Sequence, residues 1–296
     1  MNLKEAEHIS SDVLVIGGGG AGLRAAIAAR QKGASVLIVS KSRVGLGNNT
    51  ALAKGALAAA TGTADMNDSP DDHLKDTLNG GRLINDIRLL KKVTSRIAGE
   101  VSFLEKCGVP FWKEGEKFHI GYAPGHSYAR IFYAERQRGT DFTIPLKKFA
   151  LKRGVRVMEG VFISRLLIQD DEFTGAVGVD DRGSFFIFPA KTVILATGGT
   201  GQLYLNTNNA AGMTGDGYAL AFQEGLPLRD MEFVQFYPAA LGGKRIILYE
   251  VFLFNLSGIL RNSLGENVLA KHGLLDPLMM TRDRVAQACM REILDG

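Results

Sequence analysis

The chain has 296 residues, 46% of them hydrophobic and 22% charged, with a mean hydropathy near zero, which is enough for one large globular domain or two with a sizeable core. Its formal net charge is +4, but the basic residues are interleaved with acidic ones, as in LKKFALKRGVRVMEG, so no nucleic-acid-binding stripe is indicated. The N-terminal MNLKEAEHISS lacks an apolar signal-peptide core, and the most apolar later run, IILYEVFLFNL, is short and carries Glu250, so no direct membrane insertion is expected.

Cys107 and Cys289 lie far apart with no CxxC spacing, so neither a disulfide framework nor an iron–sulfur site is indicated. A reduced, cytoplasmic chain is the simplest fit, any membrane association being peripheral and through a partner. His8, His73, His119, His126 and His272 show no metal-ligand spacing and are read as structural. Ten of the 36 glycines gather in GGGGAG, NGG and ATGGTG, as glycines do where backbone must approach something closely.

In chain order, DVLVI at 12–16 reads as a short buried strand, followed by a glycine run and an alanine-rich helix closed by Gly33. SVLIVS then reads as a second strand, completing a strand–helix–strand unit of the dinucleotide-binding kind. Segments 71–79 and 86–106 carry helical spacing. From 155 to 197 short β-runs form a meander with a turn at Asp180, Asp181, Arg182 and Gly183, which returns the chain to the main sheet. Beyond about residue 237 the pattern is irregular, with a helix near 282–294.

The strongest local motif is Gly17-x-Gly19-x-x-Gly22, directly after a strand and opening a helix. Gly17, Gly18, Gly19, Gly20, Ala21 and Gly22 would let backbone approach a pyrophosphate, and the helix N-terminus would offer it N–H groups and a favourable dipole. The second strand ends in Ser40 and Lys41 instead of an acidic residue; Ser40 can still bond a ribose hydroxyl and Lys41 adds charge near phosphate, so this motif alone leaves NAD and FAD both open.

Four further segments resolve that choice by resemblance. VGLGNNTALAKGALAAATG after the second strand, LATGG at 195–199, MTGDGYALA at 213–221 and MEFVQFYPAAL at 231–241 resemble, in order, the N-terminal part of the fumarate reductase and succinate dehydrogenase flavoprotein family, which includes L-aspartate oxidase. The resemblance implies an α/β fold with a Rossmann-like FAD-binding domain of the two-dinucleotide-binding type, a parallel sheet plus a β-meander, over residues 1–236. Residues 237–296 would begin a substrate or capping domain. It also implies FAD and hydride transfer between flavin N5 and a dicarboxylate-like substrate, the partner being an electron-transfer subunit.

Carried over residue by residue, the resemblance puts Gly17 to Gly22 at the pyrophosphate, Ser40 and Lys41 on the adenosine side, and Asn48, Asn49, Thr50, Lys54 and Gly55 beside the isoalloxazine. Val161, the backbone of Ala196, Thr197 and Gly198, and Asp216 complete the cofactor contacts. Asn49 stands where respiratory members carry a histidine covalently joined to flavin, so FAD is expected to be non-covalent. Lys54 replaces a glutamine; it reads either as a cation supporting a reduced, anionic flavin or as a solvated lysine.

TRDRVAQACMREI resembles the segment with the catalytic arginine, which places Arg282 as substrate proton donor and carboxylate clamp; the bland alternative is a helix-terminal surface charge. Tyr237 takes the place of a substrate-binding histidine, and Tyr249 and Glu250 that of a Thr-Glu pair, which weakens a fumarate or succinate assignment. The family's further substrate histidine and second arginine would lie beyond residue 296, in a longer chain or a complementary C-terminal chain. Two alternatives accompany this reading: an L-aspartate oxidase-like enzyme, and a truncated, non-catalytic flavin-binding or interaction protein.

Overall fold

The structure is a computed structural model and describes residues 6–238 and 258–295. In chain order its main elements are β1 (Glu7–His8), β2 (Ser11–Ile16), α1 (Gly20–Gln31), β3 (Val36–Ser40), α2 (Asn49–Leu52), β4 (Ala56–Ala58), α3 (Pro70–Gly80), α4 (Ile87–Lys106), β5 (Lys113–Glu114), β6 (Lys117–Phe118), β7 (Ile120–Gly121), β8 (Ile131–Tyr133), α5 (Thr140–Lys152), β9 (Arg156–Glu159), β10 (Val161–Gln169), β11 (Glu172–Asp180), β12 (Phe185–Leu195) and α6 (Asp216–Gln223). Two more helices follow, Val268–Lys271 and Arg282–Asp295.

These residues form two compact units. One comprises Met1–Ala56, Leu104–Trp112 and Ala134–Arg229; the other comprises Leu57–Phe103, Lys113–Tyr133 and Asp230–Gly296. The division therefore differs from a single cut at 236/237: residues 57–103 and 113–133 cluster with the C-terminal segment.

The first unit is built on a seven-stranded sheet in the order β10–β11–β12–β2–β3–β9, with β1 beside β12. The strands β12, β2, β3 and β9 pair in parallel, whereas β10, β11 and the first half of β12 form the antiparallel meander. Every residue of β3 and the last four of β2 are buried, as expected of parallel strands covered on both faces. Leu14, Ile16, Leu37 and Val39 join Val161, Ile163, Phe186, Phe188 and Leu220 in one apolar cluster. Each such side chain contributes about 1.5–3 kcal/mol on burial.

Among the β-runs expected from 155 to 197, VRVMEGVFISRLLIQ is split by Gly160, whose φ is +78°. The piece before it, β9, pairs with β3, and the piece after it, β10, pairs with β11 at the other end of the sheet. The turn at 180–183 forms as expected, with Asp180 Oδ1 accepting from the Arg182 and Ser184 N–H groups at 3.0 and 2.8 Å. Helix α5 departs from the sequence reading, which placed no helix there. It contains Pro145 yet buries Phe142, Leu146 and Ala150, and Thr143 Oγ1 donates to the Gly45 carbonyl at 2.6 Å.

The second unit carries helices α3 and α4, a β4–β8–β7 sheet and a β5–β6 hairpin. Helix α3 starts as its sequence dictates, with Ser69 capping the Asp72 N–H at 3.1 Å and Pro70 at the first helical position. At the centre of this unit, fully buried Arg130 contacts Asp68 at 2.8 Å and Asp76 at 2.9 Å. The Arg282–Asp295 helix packs Val285 and Ala288 against Val268, Leu269, Leu274 and Met280. Glu292 of that helix accepts hydrogen bonds from Asn262 at 2.6 Å and Lys271 at 3.2 Å and pairs with His272 at 2.6 Å. Among the described residues no helix is long and apolar enough to cross a membrane.

Candidate functional site

A cavity of about 320 Å³ opens in the first unit where β2, β3 and β12 end. That volume lies in the range of small-molecule sites, and the end of parallel strands is where such sites form in α/β sheets. Strand β2 delivers the glycine run directly into it. The Gly17 N–H donates to the Val39 carbonyl at 2.9 Å and the Ala196 N–H to the Ile16 carbonyl at 2.8 Å, so the ends of all three strands are tied together beneath the cavity.

The glycines have separable roles. At Gly17, with φ +114°, a Cβ would lie 2.2 Å from the Ala196 carbonyl oxygen, and at Gly22 it would lie 2.0 Å from the Gly17 carbonyl oxygen. Both are therefore needed for the chain's own close crossings. At Gly19 the nearest atoms are those of Asn48 at 3.6 Å, so a Cβ there would meet no close backbone. Gly19 lines the cavity beside Gly20 and Ala21; as the N-cap of α1 it brings no capping side chain of its own, and Thr50 Oγ1 takes the Gly20 N–H. A helix N-terminus behind a bare backbone surface suits a phosphate group.

Asn48, Asn49 and Thr50 line one wall and brace it. Asn48 Oδ1 accepts from the Ala51 N–H at 3.0 Å and its amide donates to the Gly18 carbonyl at 3.4 Å. Thr50 Oγ1 accepts from the Gly20 N–H at 3.2 Å. Asn49 Nδ2 donates to Asn209 Oδ1 at 2.5 Å, while its Oδ1 accepts from the Ala210 N–H at 2.8 Å. The cavity's two charged residues pair: Lys41 Nζ is 2.5 Å from Asp216 Oδ2 and donates to Thr214 Oγ1 at 2.6 Å. Thr197 Oγ1 accepts from the Gly217 N–H at 3.1 Å and so joins the LATGG segment to α6.

Of the expected cofactor residues, Gly17 to Ala21, Ser40, Lys41, Asn48, Asn49, Thr50, Val161, Ala196, Thr197, Gly198 and Asp216 line this cavity. Gly22, Lys54 and Gly55 do not belong to its lining. Gly55 instead serves a backbone crossing, where its Cβ would fall 2.5 Å from the Arg138 carbonyl oxygen, and Lys54 is exposed. Sequence reasoning did not name the lining residues Phe162, Gly212 and Met213 as cofactor contacts.

The candidate substrate residues lie in the second unit. The Arg282 guanidinium is 5.4 Å from the centroid of the Tyr237 ring, and its Nη1 donates to Gln235 Oε1 at 3.4 Å. Asp283 pairs with Arg82. Burial pushes the Asp283 carboxyl up, but hydrogen bonds from Thr281 and Arg82 outweigh that and hold it below the usual carboxylate range. Tyr249 and Glu250 lie outside the described residues. Among the described residues no group of His, Cys, Asp or Glu side chains is placed to hold a metal ion.

Comparison with known proteins agrees with this geometry. A fumarate reductase (CoM/CoB) chain of Methanothermobacter marburgensis is 36% identical over 99% of this chain and 54% of its own length. L-aspartate oxidase of Agrobacterium fabrum is 35% identical over 96% of this chain and 54% of its own. The quinol fumarate reductase flavoprotein of E. coli, solved as a mutant, superposes with a TM-score of 0.90 at 30% identity, covering 98% of this chain and 52% of that one. The chain thus spans about half the length of the curated relatives it matches. Since the family described as "FAD binding domain" matches residues 12–295, including every residue that lines the cavity, the chain belongs to that family, with FAD as its cofactor.

Proposed function

We propose that this chain is the FAD-holding part of an FAD-dependent oxidoreductase of the fumarate reductase and succinate dehydrogenase type, acting on a dicarboxylate-like substrate. The observation that carries the reading is the preformed cavity at the strand ends, with its bare glycine wall, the α1 N-terminus and lining residues Ser40, Asn48 and Asp216.

Bound FAD supplies a two-electron hydride donor or acceptor. The chain's residues would hold it in parts: the α1 N-terminus faces the pyrophosphate, Ser40 bonds a ribose hydroxyl, and Val161 borders the adenosine end. Asn49 supports non-covalent binding, because an amide cannot form the link a histidine makes and both of its polar atoms are already engaged.

Arg282 would bind a substrate carboxylate and give a proton to the carbon of the double bond that does not receive hydride. The acceptor is an incipient carbanion, basic enough to take a proton from a guanidinium. Tyr237 beside it can donate a hydrogen bond but adds no charge. The partner would be an electron-transfer subunit, and the setting cytoplasmic.

The test is a visible absorption spectrum, repeated on the supernatant after acid precipitation, followed by fumarate-dependent oxidation of a reduced dye. A flavin spectrum passing wholly to the supernatant, with turnover abolished in Arg282→Ala, is expected. Flavin retained in the pellet, or turnover surviving in that variant, sinks the respective half of the proposal. The relative from Agrobacterium fabrum supports a second reading, an amino-acid oxidase, which predicts hydrogen peroxide formation from aspartate under air.

A further inference from the structure

The turn that ends α3 holds two consecutive non-glycine residues in the left-handed region. The Arg82 N–H donates to the Asn79 carbonyl at 3.1 Å and the Leu83 N–H to the Leu78 carbonyl at 2.9 Å. This paired closure puts the residue after the C-cap in the left-handed region, where glycine is the usual choice. Here that residue is Arg82, with φ 54°, and Leu83 follows at φ 65°. Two glycines stand immediately before it, yet Gly81 keeps an ordinary φ of −84°. A non-glycine residue held this way costs on the order of 1–3 kcal/mol and persists where surrounding structure requires it.

What Arg82 gains is Asp283. Its guanidinium hydrogen-bonds the Asp283 carboxylate, across a gap of 201 positions in sequence. Asp283 sits in the first turn of the Arg282–Asp295 helix, directly after Arg282, and its side chain is 42% exposed. The adjacent Arg282 guanidinium lies over the Tyr237 ring and against Gln235.

We infer that Arg82 is a positioning residue for Arg282: by occupying Asp283 and anchoring the first helical turn, it keeps the Arg282 guanidinium directed at Tyr237 and Gln235. The inference rests on the reading that Arg282 acts on substrate. It assigns a purpose to the strain, because glycine would relax the turn but bring no cation to Asp283.

The experiment uses the flavin-loaded protein and fumarate-dependent oxidation of a reduced dye. Arg82→Gly relieves the left-handed strain, so its melting temperature should equal or exceed that of the unsubstituted protein and its flavin content should not change, while kcat/KM falls about tenfold. Arg82→Lys, which keeps the charge, should stay within about threefold, and the exchange variant R82D/D283R should recover most of the loss. Unchanged kcat/KM in Arg82→Gly overturns the inference, as does a loss matched by falling stability and not recovered by the exchange. An inactive unsubstituted protein, or activity surviving Arg282→Ala, instead overturns the functional reading, and this inference with it.

Discussion

Asn49 reaches across 160 positions of sequence to donate to Asn209 at 2.5 Å, and with its other amide atom it accepts from the Ala210 N–H at 2.8 Å. One side chain therefore fixes the segment that leads into Gly212 and Met213, both in the cavity lining. Asn49→Ala removes two hydrogen bonds worth about 1 kcal/mol each, so FAD affinity should fall about tenfold while the protein stays folded. Flavin fluorescence titration measures this. Unchanged affinity would mean that Gln202, which donates to the Asn209 and Ala210 carbonyls at 2.8 and 3.2 Å, holds the segment alone.

The glycine run offers a test that separates folding from binding. Gly22→Ala places a methyl carbon 2.0 Å from the Gly17 carbonyl oxygen, backbone that cannot swing aside, and should cost about 2–4 kcal/mol of stability in a urea titration. Gly19→Ala meets only Asn48 at 3.6 Å and should shift stability by less than about 0.5 kcal/mol. Its methyl group would nevertheless stand in the cavity, so FAD binding should weaken sharply. Normal binding in Gly19→Ala would mean that this wall does not face the pyrophosphate.

Much of the first unit is legible in the sequence because its signals are local. A strand, a glycine run, a helix and a second strand follow one another within about 30 residues, and each carries its own pattern. Helix α5 was hidden by Pro145 and by a basic run that reads as a solvated face, although the helix buries Phe142 and Leu146. Lys54 and Gly55 show the limit of reading by adjacency: they neighbour the Asn48–Thr50 wall, yet Gly55 uses its positive φ for a crossing with Arg138. Phe162 and Met213 border the cavity without any polar signature. Arg82 and Asp283 are far apart in sequence, and nothing in either local segment announces the pair.

Arg130 is equally illegible, since its partner Asp68 lies 62 positions away and burial is what gives the pair its weight. Arg130→Met leaves Asp68 and Asp76 facing each other without a cation and should destabilise the second unit by about 3–5 kcal/mol. Arg130→Lys restores the charge but not the fork that spans two carboxylates, so it should recover only part of the loss. A urea titration in which the Met variant matches the unsubstituted protein would show that the two carboxylates take up protons at little cost.

The same cluster sets a pH dependence. Burial, reinforced by the nearby Arg130 and His126, pushes the His73 pKa down from 6.5 to about 4, and burial likewise lowers that of His126. Folded His73 is therefore neutral where the unfolded chain begins to take up a proton. Its contribution is complete above pH 6.5 and is lost as pH falls toward 4, with a slope of up to about 1.4 kcal/mol per pH unit. Asp68 opposes this over part of the range, because burial pushes its carboxyl up despite Arg130, so the folded state binds its proton first. Comparing His73→Phe with the unsubstituted protein cancels the Asp68 contribution. The variant should show a shallower fall in urea stability between pH 6.5 and 4, and an identical slope would mean that His73 takes up its proton without resistance from its surroundings.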